Sequence, residues 1–388
     1  MRIAHIFHNY YPVIGGMERA IQRLAEEQAK MGHEVHVITS IHGAGDRPRE
    51  EELNGVSVHR VRSWRLRYPD LTMPKEIPED AIREADIVHG WSQNSYFTYR
   101  MCREAKKLNK PVAMYFLGVD YLKHHYNPLI RLFGYSYQRW ITREVAKVTD
   151  LALVTNEYEK RLLKERNIEA IVIPHGVEKI YLKLPNMAEY FRGKYDVKGK
   201  IIAYIGRVHP TKGLDLLIRA FKDVARQVPD AVLIVAGKGD EKYLGKCMKL
   251  AKKLGIGNKV RYLGYIPEED KIALIDASEI VVLPTKHSGE AYPLILNEVT
   301  ARGKTIVVTN RSKILEHRVK HEKSENRNTV VSPSNAPSLT RTITSLLKNE
   351  KPVLTANGSR NKTQVLSWNN VARRLVELYS QIIGGLAK

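Results

Sequence analysis

Cysteine is nearly missing from this chain: 388 residues hold two, Cys102 and Cys247, far apart in sequence. That excludes a disulfide framework and points to a reducing compartment. No apolar run approaches the roughly 20 residues that span a bilayer, so no transmembrane helix is expected. Residues 1–7 read as a strand, without the charged and then apolar layout of a signal peptide. The expected location is therefore cytoplasmic. No Asp-x-Asp pair occurs anywhere, so no metal site dedicated to a diphosphate is expected, nor any cofactor. The Gly-x4-Gly-Lys-Ser/Thr order of a Walker A loop is also missing. No zinc-finger, RRM-type or helix-turn-helix signature accompanies the net charge of +21, so nucleic acid is not an expected partner.

What is present belongs to a folded enzyme of two or three ordinary domains, 43% hydrophobic. The positive charge is uneven. Residues 1–175 carry 26 Lys+Arg against 22 Asp+Glu, and residues 176–388 carry 37 against 20. A basic half suits phosphorylated ligands or anionic lipid. Apolar runs alternate with helical patterns: strands at 2–7, 35–39, 87–89, 112–116, 151–155 and 171–174 make a first series. Strands at 201–205, 231–236, 260–262, 280–283 and 305–309, with helices at 214–227, 243–254 and 268–277, make a second. Strands separated by helix-length segments imply an α/β protein with two parallel, doubly wound sheets. The join falls near 174–183, with a cleft expected between the two domains.

Three stretches carry chemistry. The first is Ser288-Gly-Glu-Ala-Tyr-Pro-Leu-Ile-Leu-Asn-Glu298, after a buried strand. Pro293 suits a first helical position, leaving Glu290 in the loop, Glu298 in the second turn, and free helix-start amides ready for an anion. Two carboxylates for hydroxyls and amides for a phosphate would fit a nucleotide-sugar. The second is Tyr204-Ile-Gly-Arg-Val-His-Pro-Thr-Lys-Gly-Leu214. Arg207 and Lys212 flank a turn at the carboxyl end of a strand, where open α/β sheets bind ligands. Two cations there can neutralise a diphosphate without a metal ion. Gly237-Lys-Gly239 marks a tight strand-to-helix turn. The third is Gly15-Gly16, with two readings: a turn that needs positive φ, or close approach of a ligand phosphate to a helix N-terminus.

The ordered set of Gly15-Gly-Met-Glu-Arg19, Gly32-His-Glu-Val35, Ala85-Asp-Ile-Val-His89, Ile173-Pro-His-Gly-Val177, Ile205-Gly-Arg-Val-His-Pro-Thr-Lys-Gly213, Tyr262-Leu-Gly-Tyr265, Glu290-x7-Glu298 and Leu366-Ser-Trp368 resembles the family 4 retaining glycosyltransferases of the GT-B fold over nearly the whole chain. The resemblance implies two Rossmann-like domains facing across a cleft: an acceptor-side domain, 1–178, and a donor domain, 179–367. A closing helix at about 368–388 would pack back on the first. It implies a UDP- or GDP-sugar donor and a saccharide or lipid-linked acceptor. Arg207 and Lys212 would hold the diphosphate, Glu290 the sugar hydroxyls and Glu298 the ribose. Gly15, Gly16, Gly206, Tyr292 and Leu294 would lie along the donor, and the base would pack at Tyr265 and Ile266.

Three departures stand out. Leu117, in Tyr115-Phe-Leu-Gly-Val-Asp120, occupies the place where many members carry a histidine near the reacting sugar. His89 and Asp120 are the substitutes for it, against plainer readings as a core histidine and a turn residue. Arg311-Ser-Lys-Ile-Leu-Glu316 lacks the usual glycine pair, and Tyr292-Pro293 replaces a commoner Phe-Gly. Alternative functions are a nucleotide-sugar 2-epimerase and a non-catalytic nucleotide-binding member. Residues 124–143 mix aromatic, apolar and Arg side chains. They fit a helix lying on an anionic membrane surface or one packed on the first sheet.

Overall fold

The computed structural model describes residues 1–13, 15–66, 71–124, 127–290, 292–321, 329–348 and 365–386. The chain divides into two compact units, Met1–Gly176 with Leu366–Lys388, and Val177–Val365.

The strands of unit 1 are β1 (Arg2–Ile6), β2 (Glu34–Ser40), β3 (Glu50–Leu53), β4 (Val56–Val61), β5 (Ser63–Leu66), β6 (Leu71–Pro74), β7 (Ile87–Trp91), β8 (Val112–Tyr115), β9 (Leu151–Val154) and β10 (Ala170–Val172). Eight of them form one sheet in the order β10-β9-β8-β7-β1-β2-β4-β3, and β5 pairs with β6 in a separate hairpin. All neighbours in the large sheet are parallel except β3 and β4. Its helices are α1 (Gly16–Lys30), α2 (Glu79–Glu84), α3 (Tyr96–Lys107), α4 (Tyr135–Ala146) and α5 (Glu157–Lys164). In α1 the apolar positions Ala20, Ile21, Leu24 and Ala25 share one stripe, and all four are buried.

Unit 2 begins with two short helices, α6 (Lys179–Lys183) and α7 (Ala188–Tyr195). It then alternates β11 (Lys200–Ile205), α8 (Leu214–Gln227), β12 (Ala231–Ala236), α9 (Glu241–Lys253), β13 (Val260–Gly264), α10 (Glu268–Ala277), β14 (Ser278–Leu283), α11 (Leu294–Ala301), β15 (Thr305–Thr309), α12 (Lys313–His321), β16 (Thr329–Ser332) and α13 (Ala336–Leu347). The sheet order β13-β12-β11-β14-β15-β16, all parallel, is the Rossmann order with its topological switch between β11 and β14. Leu214, Leu217, Phe221 and Val224 of α8 join Ile202, Tyr204, Leu233 and Val235 in one core face.

The chain then returns to unit 1 as α14 (Trp368–Leu386), which packs on α1. Tyr379 of α14 brings its hydroxyl to Nδ1 of His89, and both are fully buried. His89 stacks on Trp91 and Tyr115, and His5 lies beside it at 5.1 Å between ring centres. Nε2 of His5 bonds to Gln28 at 2.7 Å, and Trp91 donates its indole N–H to His5 at 3.1 Å. His89 is therefore a structural residue of the core. Its imidazole is sealed among aromatic rings and cannot serve an acceptor, which corrects its candidacy as a catalytic group.

This cluster sets an acid limit on unit 1. Burial holds His5 down at about 4, although its bond to Gln28 opposes the shift. Burial, with His5 and His175 nearby, holds His89 well below its ordinary range. The unfolded chain binds these protons from about pH 6.5 downward. The stabilisation is thus complete above pH 6.5 and is lost as pH falls toward 4. Stability should drop by about 1.4 kcal/mol per pH unit for each such histidine, less the opposite slope from Glu159, whose carboxyl burial pushes up to about 7. Tryptophan fluorescence during urea unfolding, repeated from pH 7 to pH 4.5, reads this, with buried Trp91 among the reporters. A flat profile over that range would refute it.

Candidate functional site

The site is built at the carboxyl ends of β11 and β14, on both sides of the switch in unit 2. Arg207 follows β11 by two residues, is exposed, and among the described residues has no carboxylate holding its guanidinium. Tyr204 donates its hydroxyl to the Arg207 carbonyl at 2.8 Å, fixing the backbone beneath that cation. Gly206 has φ 152° and accepts no crowding atom within 4 Å of a Cβ position. Gly237, with φ 135°, is a close-approach glycine, since a Cβ there would lie 2.0 Å from the Gly206 carbonyl.

Residues Pro210–Lys212 form one 3-10 turn, started by Nδ1 of His209 accepting the Thr211 N–H at 3.3 Å. Gly213 ends it in the left-handed region, φ 71°, and a Cβ there would sit 2.0 Å from the Pro284 carbonyl. The Lys286 N–H donates to the Thr211 carbonyl at 2.8 Å, and Lys286 Nζ reaches Asp215 at 2.6 Å. The loops after β11 and β14 are thereby bound to one another.

This fastening puts Lys212 Nζ against Glu290 Oε2 in a close ion pair, with side chains 21% and 10% exposed. Thr285 adds its hydroxyl to the same carboxylate oxygen at 3.3 Å. Burial alone would push the Glu290 carboxyl up, but the Lys212 ammonium, with His287 and Thr285, overrides it and holds the group below its usual range. Ser312 donates to the Glu290 carbonyl at 2.7 Å and accepts from the Leu315 N–H at the start of α12. The segment without the expected glycine pair thus holds the acidic loop through a hydroxyl.

Pro293 sits one residue earlier than expected, as the extended cap before α11. Leu294 opens the helix, and Glu298 falls in its second turn, buried. Lys271 of α10 donates to Glu298 at 2.9 Å and to Glu268 at 2.8 Å. Glu178, Glu268 and Glu298 bring carboxylate oxygens within 4.8 Å of one another, a cluster that Lys271 already serves. Tyr292 receives the Asn297 amide on its hydroxyl at 3.2 Å. Ile266 is buried, whereas the Tyr265 ring is 62% exposed with Lys238 Nζ 5.9 Å from its centre.

The remaining candidates belong to unit 1. Gly15 is extended, φ −155°, and Gly16 begins α1, so neither needs positive φ and that reading fails. A Cβ on Gly16 would meet nothing within 4 Å, leaving open space before the helix start. Asp120 is a turn residue with φ 60°, and its carboxylate is engaged by Arg166. That engagement corrects its candidacy as a base. Leu117 is buried, and its turn is held from below by residues that no motif flagged. Gln93 accepts the Leu117 N–H at 2.8 Å, and Glu159 accepts the N–H groups of Gly118 and Val119 at 2.6 and 3.2 Å. Thr285, Ser312 and Lys271 were equally unmarked.

The sequence profile of Glycosyltransferase Family 4 matches residues 14–179, and that of Glycosyl transferases group 1 matches residues 188–364. An uncharacterized glycosyltransferase of Methanocaldococcus jannaschii is 24% identical, covering 98% of each chain. The phosphatidyl-myo-inositol mannosyltransferase of Mycobacterium tuberculosis is also 24% identical, covering 100% of this chain and 99% of its own. Among solved structures, sucrose-phosphate synthase from Thermosynechococcus elongatus superposes with a TM-score of 0.73 at 18% identity, over 99% of both chains. Anabaena HepE, solved in complex with UDP-glucose, gives 0.68 at 17% identity over 100% of this chain and 98% of its own. These likenesses place the two Rossmann-like units in the GT-B fold. The chain belongs to glycosyltransferase family 4 and is a glycosyltransferase.

Proposed function

We propose that this glycosyltransferase moves a hexose-type sugar from a nucleoside-diphosphate donor to a saccharide or lipid-linked acceptor, with retention and without a divalent metal. One observation carries the reading. An exposed cation at Arg207, a paired cation at Lys212 and the opening amides of α11 all belong to the ends of β11 and β14, where a doubly wound sheet takes its ligand. Arg207 and Lys212 bind the diphosphate and offset the charge that grows on it as the sugar leaves. The N–H groups of Leu294 and its successor lack intrahelical acceptors and suit a phosphate oxygen.

Glu290, kept ionised by Lys212, accepts from sugar hydroxyls. Glu298, oriented by Lys271, accepts from the ribose. The exposed Tyr265 ring offers a face to the base, with Ile266 beneath. Of the nearby carboxylates, Glu290 is tied to Lys212 and Asp215 to Lys286. We therefore favour front-face transfer, in which the departing phosphate oxygen takes the acceptor's proton. The HepE complex with UDP-glucose and the inositol-lipid transferases among the relatives support this class of donor and acceptor.

The test is a hydrolysis screen over UDP- and GDP-sugars without acceptor, followed by NMR. One donor should release its sugar, first in the anomeric form of the donor. Inversion at the anomeric carbon would reject the front-face route. Release of a 2-epimerised sugar, or turnover of none of the donors, would reject the proposal.

A further inference from the structure

The stretch 129–140 exposes more apolar surface than folding requires. Residues Ile130–Gly134 form a π-helical turn that runs into α4. One face of α4 is already anchored: Gln138, Ile141 and Val145 are buried, and Gln138 donates to the Gly118 carbonyl at 2.9 Å and to Asn94 at 2.8 Å. The outward face nevertheless presents Leu129, Leu132, Phe133 and Trp140, at 66%, 63%, 69% and 46% exposure. Single exposed apolar residues are ordinary, but four on one helical stripe mark a surface that something covers.

The charges around the stripe have one sign. Lys123, Arg131, Arg139, Arg143 and Lys147 are all exposed. Glu144 is the one carboxylate of residues 121–147, and it is paired with Lys147 at 2.6 Å. A second patch of the same make-up lies on the β5–β6 hairpin, where Trp64 and Leu66 are 63% and 53% exposed and Lys75 sits over the indole at 5.1 Å. Both α4 and β6 pack against α3, so the two patches flank one helix of unit 1.

We infer that this surface of unit 1 docks on an anionic lipid bilayer, with Leu132, Phe133 and Trp140 entering the interface and Arg131 and Arg139 meeting lipid phosphates. Aliphatic and aromatic side chains interleaved with Arg are the composition that lies in the headgroup boundary. A protein partner would need its own carboxylates to answer the four cations besides Lys147, whereas an anionic leaflet supplies them as a continuum. No helix among the described residues is long and apolar enough to cross a membrane, so contact of this kind is peripheral. The inference deepens the proposed transfer to a lipid-linked acceptor and rests on that reading for its biological use. The surface itself does not depend on it.

Flotation of the full chain with vesicles, in the absence of any donor, tests the docking separately from the chemistry. The chain should float with phosphatidylcholine–phosphatidylglycerol vesicles, remain behind with phosphatidylcholine alone, and be released by salt. Leu132→Ser with Phe133→Ser should lower the vesicle partition coefficient by about tenfold or more. Arg131→Gln with Arg139→Gln should lower it by roughly fivefold for each cation removed. Melting temperatures and donor hydrolysis should be unchanged in both variants, because these side chains are exposed and lie outside the site. The inference fails if the unaltered chain does not float with anionic vesicles, or if both variants bind as well as it does. It also fails if sedimentation shows a dimer that Phe133→Ser dissolves, which would assign the surface to a second copy.

Discussion

Lys212→Met is expected to lower kcat for sugar transfer by about 10²–10³, the usual consequence of removing one preorganised charge from a developing oxyanion. The lysine has two duties, and they are separable. It neutralises Glu290, whose side chain is 10% exposed and which also accepts from the Thr285 hydroxyl at 3.3 Å. It also faces the switch point where the leaving diphosphate would sit. In Lys212→Met the Glu290 carboxyl loses its counter-ion, burial is opposed only weakly by His287 and Thr285, and the group shifts upward. Unit 2 should also melt earlier, since a buried charge stripped of its partner costs about 3–5 kcal/mol. Adding Glu290→Gln removes the stranded charge and should restore most of that stability. It should not restore kcat, because the cation is still missing. Recovery of kcat together with stability in the double variant would reduce Lys212 to a structural residue.

Much of this was legible because the chain is consistent at several levels. Strands such as Ala231–Ala236 and Thr305–Thr309, and helices such as Leu214–Gln227 and Glu268–Ala277, lie where apolar period and flanking turns put them. The acidic loop and the cationic turn were visible as local spacing, and sheet topology explains why they meet. What escaped was of two kinds. Polar or short strands gave little to read, as β3 is Glu-Glu-Glu-Leu at an antiparallel edge and β5 exposes three of its four residues, but β4 was missed although Val56 and Val58 alternate with Ser57 and His59. The supporting residues were invisible because their meaning is entirely long-range. Ser312 matters through a carbonyl 22 positions away, and Glu159 through amides 40 and 41 positions away. His89 looked available at a strand end, and only Tyr379, 290 positions later, shows it enclosed. Leu117 remains a true departure. The turn that carries it is held by Gln93 and Glu159, yet it offers a buried apolar side chain where the family resemblance leads one to expect a histidine.

Arg302→Leu is expected to cost unit 2 about 3–5 kcal/mol, more than most single changes in this chain. Arg302 follows α11 directly, and its side chain is 8% exposed against 2% for Asp276. Nε donates to Asp276 Oδ1 at 2.8 Å and Nη2 to Oδ2 at 2.6 Å, a bidentate fork. The remaining donors reach the carbonyls of Tyr181 at 2.9 Å, Leu184 at 2.8 Å and Pro185 at 2.8 Å. All five guanidinium N–H groups are thus used, and one side chain fastens the end of α6 to α10 and α11. Leucine leaves Asp276 buried with only the Met187 N–H, at 2.9 Å, and strands three carbonyls. Lysine cannot reproduce the fork, so Arg302→Lys should recover only part of the loss. The Arg302→Leu, Asp276→Leu pair should be more stable than Arg302→Leu alone, because it removes the unpaired charge. Urea midpoints for the four proteins decide it at constant m-value. A loss below about 1 kcal/mol for Arg302→Leu would show that the pair behaves like an exposed one. The anchoring of α11, and with it the placement of Glu298 one turn earlier, would then need another source.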